Sequence, residues 1–298
     1  MSAASEINDF LSYVSSERAL SQNTRIAYEQ DLEHFFLFCR RKGILIPTIE
    51  LRQLREYLAT LRKQGLSSRS IARKLSAMKQ LYKFLMRESR IDSDPAELLS
   101  VQVKEKRLPK FLTIAQIVRL IEAADGSSES DIRDRTLLEL WYATGARVSE
   151  MAHLCVGSID WKGRVVKVKG KGNRSRLIPI SHTALELCER YRDIRHEWLR
   201  RHNLKEVDVF FISNRGKGFT RQGIWRIVKK YAEKAGLGKE VWPHMIRHSF
   251  ATHVLEGGAD LRSVQELLGH RSIATTEIYT HLDIENLKLM QMKYHPRR

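Results

Sequence analysis

Apolar residues in the first hundred positions recur every three or four residues, the spacing of one face of an α-helix. Two runs show this spacing most clearly: Leu51, Leu54, Leu58 and Leu61, followed by Ile71, Leu75, Met78, Leu81 and Leu85. No stretch with a period of two interrupts them. The pattern predicts a bundle built from helices only.

Residues that start and stop helices divide this region into segments. Thr48 and Ser67 are predicted N-caps, because a side-chain oxygen there can accept from the first free backbone N–H groups. Gly43 and Gly65 stand where helices should end. The pair Asp94-Pro95 has the form of an N-cap followed by proline at the first helical position. Residues 1–100 are thus predicted to form four helices and a short fifth.

The periodicity breaks in residues 101–112, VQVKEKRLPKFL, a basic stretch with a proline near its end. We interpret it as an interdomain linker whose lysines and arginines can contact a phosphate backbone. A capping-box pattern at Thr113–Gln116 then starts a second domain, predicted over 113–298. A longer helix should run from about Asp131 to Ala143 and end at Gly145.

Short β-prone runs follow within this second domain. Val165–Val168 and Arg176–Ile180 flank the sequence GKGN at 170–173, which favours a hairpin turn. With an earlier turn at 160–163, these runs predict a small sheet of two or three strands, and residues 209–212 are a candidate for another short strand. Helices should return at about 182–200, 220–236, 244–256, 261–268 and 283–293. The fold class is therefore mainly α with a small antiparallel sheet in the C-terminal domain (α+β).

The net positive charge of the chain indicates a negatively charged partner. Lysine and arginine total 52 against 35 acidic residues, a formal net charge of +17. Residues 1–110 carry 20 basic and 13 acidic residues, and the remainder carries 32 and 22, so both domains are basic. This distribution favours DNA contacted along the whole chain. The alternative is a basic protein with no nucleic-acid role.

Three widely spaced cysteines, Cys39, Cys155 and Cys188, form no CxxC pair. A disulfide framework or zinc knuckle is therefore not expected, and a reducing cytosol fits. The polar start of the chain does not have the form of a signal peptide, and no apolar run reaches the roughly 18–20 residues of a membrane helix. We expect a cytoplasmic protein that does not contact a membrane.

Candidate chemistry stands in the last 155 residues: Arg147, His244, Arg247, His270 and Tyr279. Arginines can clamp phosphate oxygens, imidazoles can exchange protons near neutral pH, and a tyrosine is a possible covalent nucleophile. His244 and Arg247 should share one helix face. Such a set can hold one phosphodiester while a phenol attacks its phosphorus.

Each of these residues also has an ordinary structural interpretation. Arg147 could be a surface residue paired with Glu150, His270 a helix-capping histidine and Tyr279 a half-buried packing residue. A metal site using His244 and His248 is disfavoured, since no HExxH glutamate separates them. His248 is instead expected to be buried and hydrogen-bonded.

Four short motifs carry these residues, in the order TGARVSE (144–150), HMIRHSFATH (244–253), LGH (268–270) and TTEIYTH (275–281). Together they closely resemble the motifs of the tyrosine recombinase (lambda-integrase) family, and within it those of the Xer recombinases. The resemblance implies a two-domain C-clamp around DNA, with a helical DNA-binding bundle and a catalytic domain. It implies Tyr279 as nucleophile and Lys171, on the hairpin, as general acid. Lys169, next to the turn, is a second candidate for that role. The alternative is that Lys171 only contacts the DNA backbone.

The resemblance also implies a 3′-phosphotyrosyl intermediate made without ATP, metal or cofactor. Implied partners are a dif-type DNA site, a XerC-like recombinase in a heterotetramer and a septal DNA translocase. In the family an amphipathic tail, here Leu282, Ile284, Leu287 and Leu289, docks on the neighbouring subunit; the alternative is a helix folded on its own domain.

Three other functions stay open at this point. A type IB topoisomerase uses similar chemistry without partner exchange. A phage or mobile-element integrase uses the same residues on another target, and a non-catalytic DNA-binding regulator would need none of them.

Overall fold

The computed structural model describes most of the chain in two compact units, Met1–Lys106 and Arg107–Arg298. The described residues are 3–16, 22–102, 111–125, 128–170, 175–238, 240–269 and 281–297. They form helices and one small antiparallel sheet, so the predicted fold class is confirmed. None of the helices described is long and apolar enough to cross a membrane. Most of the predicted linker, residues 103–110, lies outside the described part.

The described residues of the first unit form four helices whose apolar faces enclose one core. They are α1 Ala3–Ser16, α2 Gln22–Lys42, α3 Leu51–Lys63 and α4 Ser68–Arg87, with a short 3-10 turn at Ile46–Thr48. The predicted face of α4 is buried in full, and that of α3 is buried except for the half-buried Leu51. Ser67 caps α4 as predicted, its hydroxyl accepting from the Ser70 N–H at 3.2 Å.

Two local predictions in this unit are wrong. Thr48 ends the 3-10 turn, and the N-cap of α3 is Glu50, which forms a capping box with Gln53. Residues 95–98 make turns instead of a fifth helix. The Asp94 carboxylate does accept from the Ala96 N–H at 2.8 Å. The next backbone bonds, however, join residues three apart, so no α-helical turn follows.

In the described part of the second unit, seven helices and the sheet surround a buried helix. Its elements are α5 Ile114–Glu122, α6 Glu129–Thr144, α7 Val148–Ala152, β1 Ile159–Asp160, β2 Val165–Lys169, β3 Ser175–Pro179, α8 His182–Arg201, α9 Arg221–Lys234, α10 Pro243–Glu256, α11 Leu261–Leu268 and α12 His281–Tyr294. These bounds follow the predicted ones closely, and Thr113 forms the predicted capping box with Gln116.

The sheet is antiparallel in the order β1-β2-β3, and β2 pairs with β3 from Val165 opposite Pro179 to Lys169 opposite Ser175. The tip of the hairpin, 171–174 with the predicted Lys171, is not among the described residues. The suggested strand at 209–212 is wrong, because only isolated bridges form there. Side chains satisfy part of this backbone instead: Arg195 donates to the Val209 carbonyl and Tyr191 accepts from the Ile212 N–H.

Helix α6 is the centre of this unit and sets the position of the loop after it. It is buried on most sides and ends at Gly145, which has the left-handed φ of +55°. A Cβ at Gly145 would stand 2.3 Å from the Phe250 ring, so α10 packs directly on this turn. The Trp141 indole N–H donates to the Ala146 carbonyl at 2.7 Å and holds the turn from the other side.

The tail helix α12 is folded on its own unit, the second of the two alternatives for this segment. Leu287 and Met290 join the core, and the Gln291 amide donates to the Ala143 carbonyl at 3.0 Å. Arg297, beyond the helix, binds the buried Glu139 through two 2.8 Å hydrogen bonds. Leu289, expected on the apolar face, is 62% exposed. Nothing is described for the side chains of Leu282 and Ile284.

Candidate active site

Arg147 is the N-cap residue of α7, directly after the Gly145 turn. Its backbone N–H donates to the Glu150 carboxylate at 2.7 Å, and its guanidinium reaches the same carboxylate at 3.1 Å. The predicted alternative pairing with Glu150 is therefore present. The side chain is 40% exposed, however, and its other terminal nitrogen donates to the Gly269 carbonyl at 3.2 Å. Arg147 thus lies between a helix N-terminus and the end of α11.

Arg247 lies on α10 and faces the same region. Its two terminal nitrogens donate to the carbonyls of Gly145 and Leu268, both at 2.7 Å. Burial, together with the neighbouring charges of Arg147 and Arg176, lowers the pKa of Arg247 to about 10. The guanidinium remains cationic at neutral pH, and two backbone acceptors fix its orientation.

His244 is the second residue of α10, after Pro243 at the start of the helix. It is exposed and stands one turn before Arg247, so the two side chains share a helix face. The prediction for His248 is wrong: that ring is half-buried and packs edge-on against Phe111. The buried, hydrogen-bonded histidine of α10 is His253, whose Nδ1 is 2.8 Å from the Tyr142 hydroxyl.

The last carbonyls of α11 bring three arginines together. Leu267 O accepts from Arg176 Nε at 2.6 Å, and the next two carbonyls, Leu268 O and Gly269 O, accept from Arg247 and Arg147. The C-terminal end of a helix carries unpaired carbonyls and partial negative charge, which favour cations there. The predicted His270 follows this end directly. His270 and Tyr279 both lie in 270–280, outside the residues described.

Two residues of this site, Glu150 and Arg176, were not predicted from the sequence to have a role in it. Glu150 is 5% exposed and Arg176 is 7% exposed, and they form a two-pronged ion pair with both oxygen–nitrogen distances at 2.9 Å. The sequence indicated Glu150 only as a partner of Arg147. For Arg176 the available signal was a charged residue at a buried position of a β-prone run, which needs an acidic partner.

The charges of the described site suit a phosphate ester. Three guanidinium groups and one carboxylate leave two net positive charges among Arg147, Arg176, Arg247 and Glu150. A phosphodiester carries one negative charge and gains more in a pentacovalent transition state. Fixed cations aimed at the place where charge develops are an effective form of transition-state stabilisation.

Comparisons with known proteins identify the family. The profile of the phage integrase family matches residues 110–286, and that of the phage integrase N-terminal SAM-like domain matches residues 7–89. The chain belongs to the phage integrase family. It is thus a tyrosine recombinase, an enzyme that cleaves and rejoins DNA strands.

Relatives within the family match the chain over nearly its whole length. The chain is 39% identical to "Tyrosine recombinase XerD" of Staphylococcus haemolyticus (strain JCSC1435) over 293 residues, 98% of each protein. It is 40% identical to "Tyrosine recombinase XerC" of Bacillus subtilis (strain 168), covering 97% of this chain and 95% of that one. The resemblance to Xer recombinases is confirmed.

Solved structures of family members share the fold. The XerH site-specific recombinase bound to a difH substrate has a TM-score of 0.69 at 21% identity, covering 97% of this chain and 92% of that one. A lambda integrase (75–356) dimer bound to a core site also has a TM-score of 0.69 at 21% identity, covering 94% of this chain and 100% of that one.

Proposed function

We propose that this chain is a Xer-type site-specific recombinase of the XerD kind that acts at a dif-type site through a 3′-phosphotyrosyl intermediate on Tyr279. The observation that carries the proposal is the convergence of Arg147 and Arg247 on the carbonyls of Gly145, Leu268 and Gly269. This arrangement holds two cations in fixed orientations directly before His270. The near-full-length match to proteins named XerD supports the subtype.

In the proposed reaction the Tyr279 oxygen attacks the scissile phosphorus. A bond from that oxygen to phosphorus forms, the bond from phosphorus to the 5′ oxygen breaks, and the 3′ phosphate stays on the tyrosine. Arg147 and Arg247 bind the non-bridging oxygens and stabilise the pentacovalent transition state. Their existing hydrogen bonds to backbone carbonyls hold each guanidinium in place, which reduces the entropy lost in the transition state.

Three further residues handle protons in this scheme. His244 takes the tyrosyl proton as base, and Lys171 gives a proton to the leaving 5′ oxygen, a role worth typically ~10²–10⁴ in rate. His270 donates a hydrogen bond to a non-bridging oxygen. The 5′ hydroxyl of another duplex then attacks the phosphotyrosyl bond and releases Tyr279, so the bond energy is conserved and no nucleotide is consumed.

The proposed biological role follows from the relatives. We assign the chain a XerC-like partner in a heterotetramer on DNA, and resolution of chromosome and plasmid dimers during segregation and cell division in the cytoplasm. Control by a septal DNA translocase belongs to the same proposal. The existence of relatives named both XerD and XerC supports a two-recombinase system.

The test is covalent trapping on a nicked suicide substrate that carries a dif-type site, with the XerC-like partner supplied. Wild type should form an adduct that survives denaturant and maps by peptide sequencing to Tyr279. Tyr279→Phe should form none. Tyr294→Phe removes a hydroxyl from the half-buried tyrosine that ends α12 and serves as the matched control.

The other outcomes separate the alternatives. Tight site-specific binding without any adduct would contradict the proposal and favour a DNA-binding regulator. Relaxation of a plasmid that lacks any specific site would favour a type IB topoisomerase. Cleavage at a mobile-element attachment site but not at a dif-type site would favour an integrase.

A further inference from the structure

Arg176 is the buried member of the three-arginine cluster, and its contacts connect three elements of the site. It is the second residue of β3, which pairs with β2. Its two terminal nitrogens bind Glu150 at 2.9 Å each, and its Nε donates to the Leu267 carbonyl at 2.6 Å. At 7% exposure it is too buried to bind DNA directly.

The partner of Arg176 in turn orients Arg147. The Glu150 carboxylate accepts from the Arg147 backbone N–H at 2.7 Å and from its guanidinium at 3.1 Å. One carboxylate therefore has hydrogen bonds to both arginines. Without Arg176, the same carboxylate would lose the partner that fixes its position, and the Arg147 guanidinium would lose part of the support that orients it.

The contact with α11 fixes the other side of the site. Gly269, the left-handed cap of α11, is so close to Arg176 that an added Cβ would stand 3.3 Å from both its Cδ and its Nη1. The guanidinium thus occupies the space under the turn that leads into His270. Its removal would loosen the end of α11, which also accepts from Arg247.

We propose that Arg176 is a positioning residue for strand cleavage: its bidentate pair with Glu150 and its bond to Leu267 hold Arg147 and the turn before His270 in register. The proposal rests on the function proposed above. It predicts that losing Arg176 harms the chemical step, while half-site binding stays within about threefold of wild type because a buried side chain makes no phosphate contact.

The charge state of Glu150 gives the proposal a distinctive readout. Burial raises the pKa of Glu150, but the hydrogen bond and charge of Arg176, followed by those of Arg147, outweigh it and hold the pKa below the usual 4.5. The charged groups that face this carboxylate from the described elements are Arg147 on α7, Arg176 on β3 and Arg247 on α10. Removing Arg176 should raise the pKa of Glu150.

The sign of the effect differs between activity and stability. In Arg176→Gln, protonation of Glu150 as the pH falls would break its ionic bond to Arg147, so cleavage should decline. Stability should move the opposite way, because protonation relieves a buried carboxylate that has lost its main partner. The stability lost through the substitution is therefore largest at high pH and shrinks as the pH falls through the raised pKa.

The experiment measures single-turnover cleavage of the suicide substrate and melting temperature, for full-length protein from pH 5 to 8. The cleavage rate is expressed as a ratio to wild type, so that titrations shared by both proteins cancel. For Arg176→Gln we expect a ratio about 10²-fold below one, as for other small misplacements of catalytic groups. The ratio should fall further toward pH 5, while the melting-temperature deficit shrinks.

Two controls isolate the mechanism. Lys167→Gln removes a positive charge from an exposed position of β2 and should give a ratio independent of pH. In a Glu150→Gln background, the Arg176→Gln substitution should add no acid-dependent loss, because the group that titrates is absent. If Arg176→Gln does not fold, Arg176→Lys takes its place, since it keeps the charge but not the two-pronged geometry.

Each outcome decides the question. A folded variant whose cleavage ratio is flat and near one, or whose cleavage and stability decline together with falling pH, overturns the positioning role. Opposite pH trends that vanish in the Glu150→Gln background support it. Failure of wild type itself to form an adduct counts against the proposed function instead. In that case the melting-temperature trend still tests the link between Arg176 and Glu150.

Discussion

Replacing Arg297 by glutamine should strongly destabilise the second unit. Arg297 binds Glu139 through Nε to one carboxylate oxygen and Nη2 to the other, both at 2.8 Å. The Glu139 side chain is fully buried, while that of Arg297 is 18% exposed. Arg297→Gln would leave an uncompensated carboxylate inside the protein, which typically costs about 3–5 kcal/mol.

The assay is calorimetric unfolding at pH 7. For a domain of 150–250 residues, each kcal/mol lowers the melting temperature by about 2–4 °C, so a loss of about 6–20 °C is expected. Glu139→Gln should cost less, since the freed guanidinium can reach water. Adding it to Arg297→Gln should restore much of the loss, because the buried charge disappears.

The matched control is Arg200→Gln, which breaks an ion pair whose arginine is 80% exposed. A surface pair of this kind is worth about 0–1 kcal/mol, so the melting temperature should hardly change. The reasoning would be refuted if Arg297→Gln melted within about 2 °C of wild type. A double variant no more stable than Arg297→Gln would also contradict it, because the cost would then not come from the unpaired Glu139.

Three further predictions follow from the same unit. Gly145→Ala should lower both stability and cleavage, because its Cβ would stand 2.3 Å from Phe250. The control is Gly236→Ala, which is also at positive φ but has open space around it; in a melting experiment it should lose only the roughly 1–2 kcal/mol of left-handed strain. Burial lowers the pKa of His295 to about 4, so the unfolded chain binds the extra proton between about pH 6.5 and 4. The free energy of unfolding should therefore decrease as the pH is lowered across that window, by up to about 1.4 kcal/mol per pH unit. This slope should flatten in His295→Gln, and an unchanged slope would show that His295 is not the group that titrates. Arg247→Lys should retain DNA binding but reduce trapped adduct about 10²–10³-fold, since an ammonium cannot keep both carbonyl contacts and bind phosphate; wild-type trapping levels would contradict the clamp.

The tail also changes how its deletion should be interpreted. If the tail docks on the neighbouring subunit, removing residues 283–298 should weaken cooperative assembly on DNA more than binding by a single subunit. Because Leu287, Met290 and Arg297 are packed on their own unit, that deletion would also expose core and leave Glu139 unpaired. Substitution of the 62% exposed Leu289 is a cleaner test of assembly, since it leaves the packed face intact.

The sequence by itself determined the helices, the sheet and the order of the motifs. Helix starts such as Ser67 and Thr113 depend on side-chain to backbone bonds across three residues, and helix faces repeat every three or four. Such short-range interactions can be recognised without knowing the fold. The errors arose where local signals competed, as at Asp94, where the cap forms but the backbone continues as turns.

Only the tertiary structure decided which groups meet. Glu139 and Arg297 are 158 positions apart, and Arg147 is 122 positions from the carbonyl it binds at Gly269. No local pattern encodes these pairs, because they depend on how α6, α10, α11 and β3 pack around one core. A buried charge must find a partner wherever packing places one, and for Arg176 that partner was Glu150. The sequence therefore indicated Arg147 and Arg247, whereas the buried pair of Arg176 and Glu150 that supports them could be found only in the folded chain.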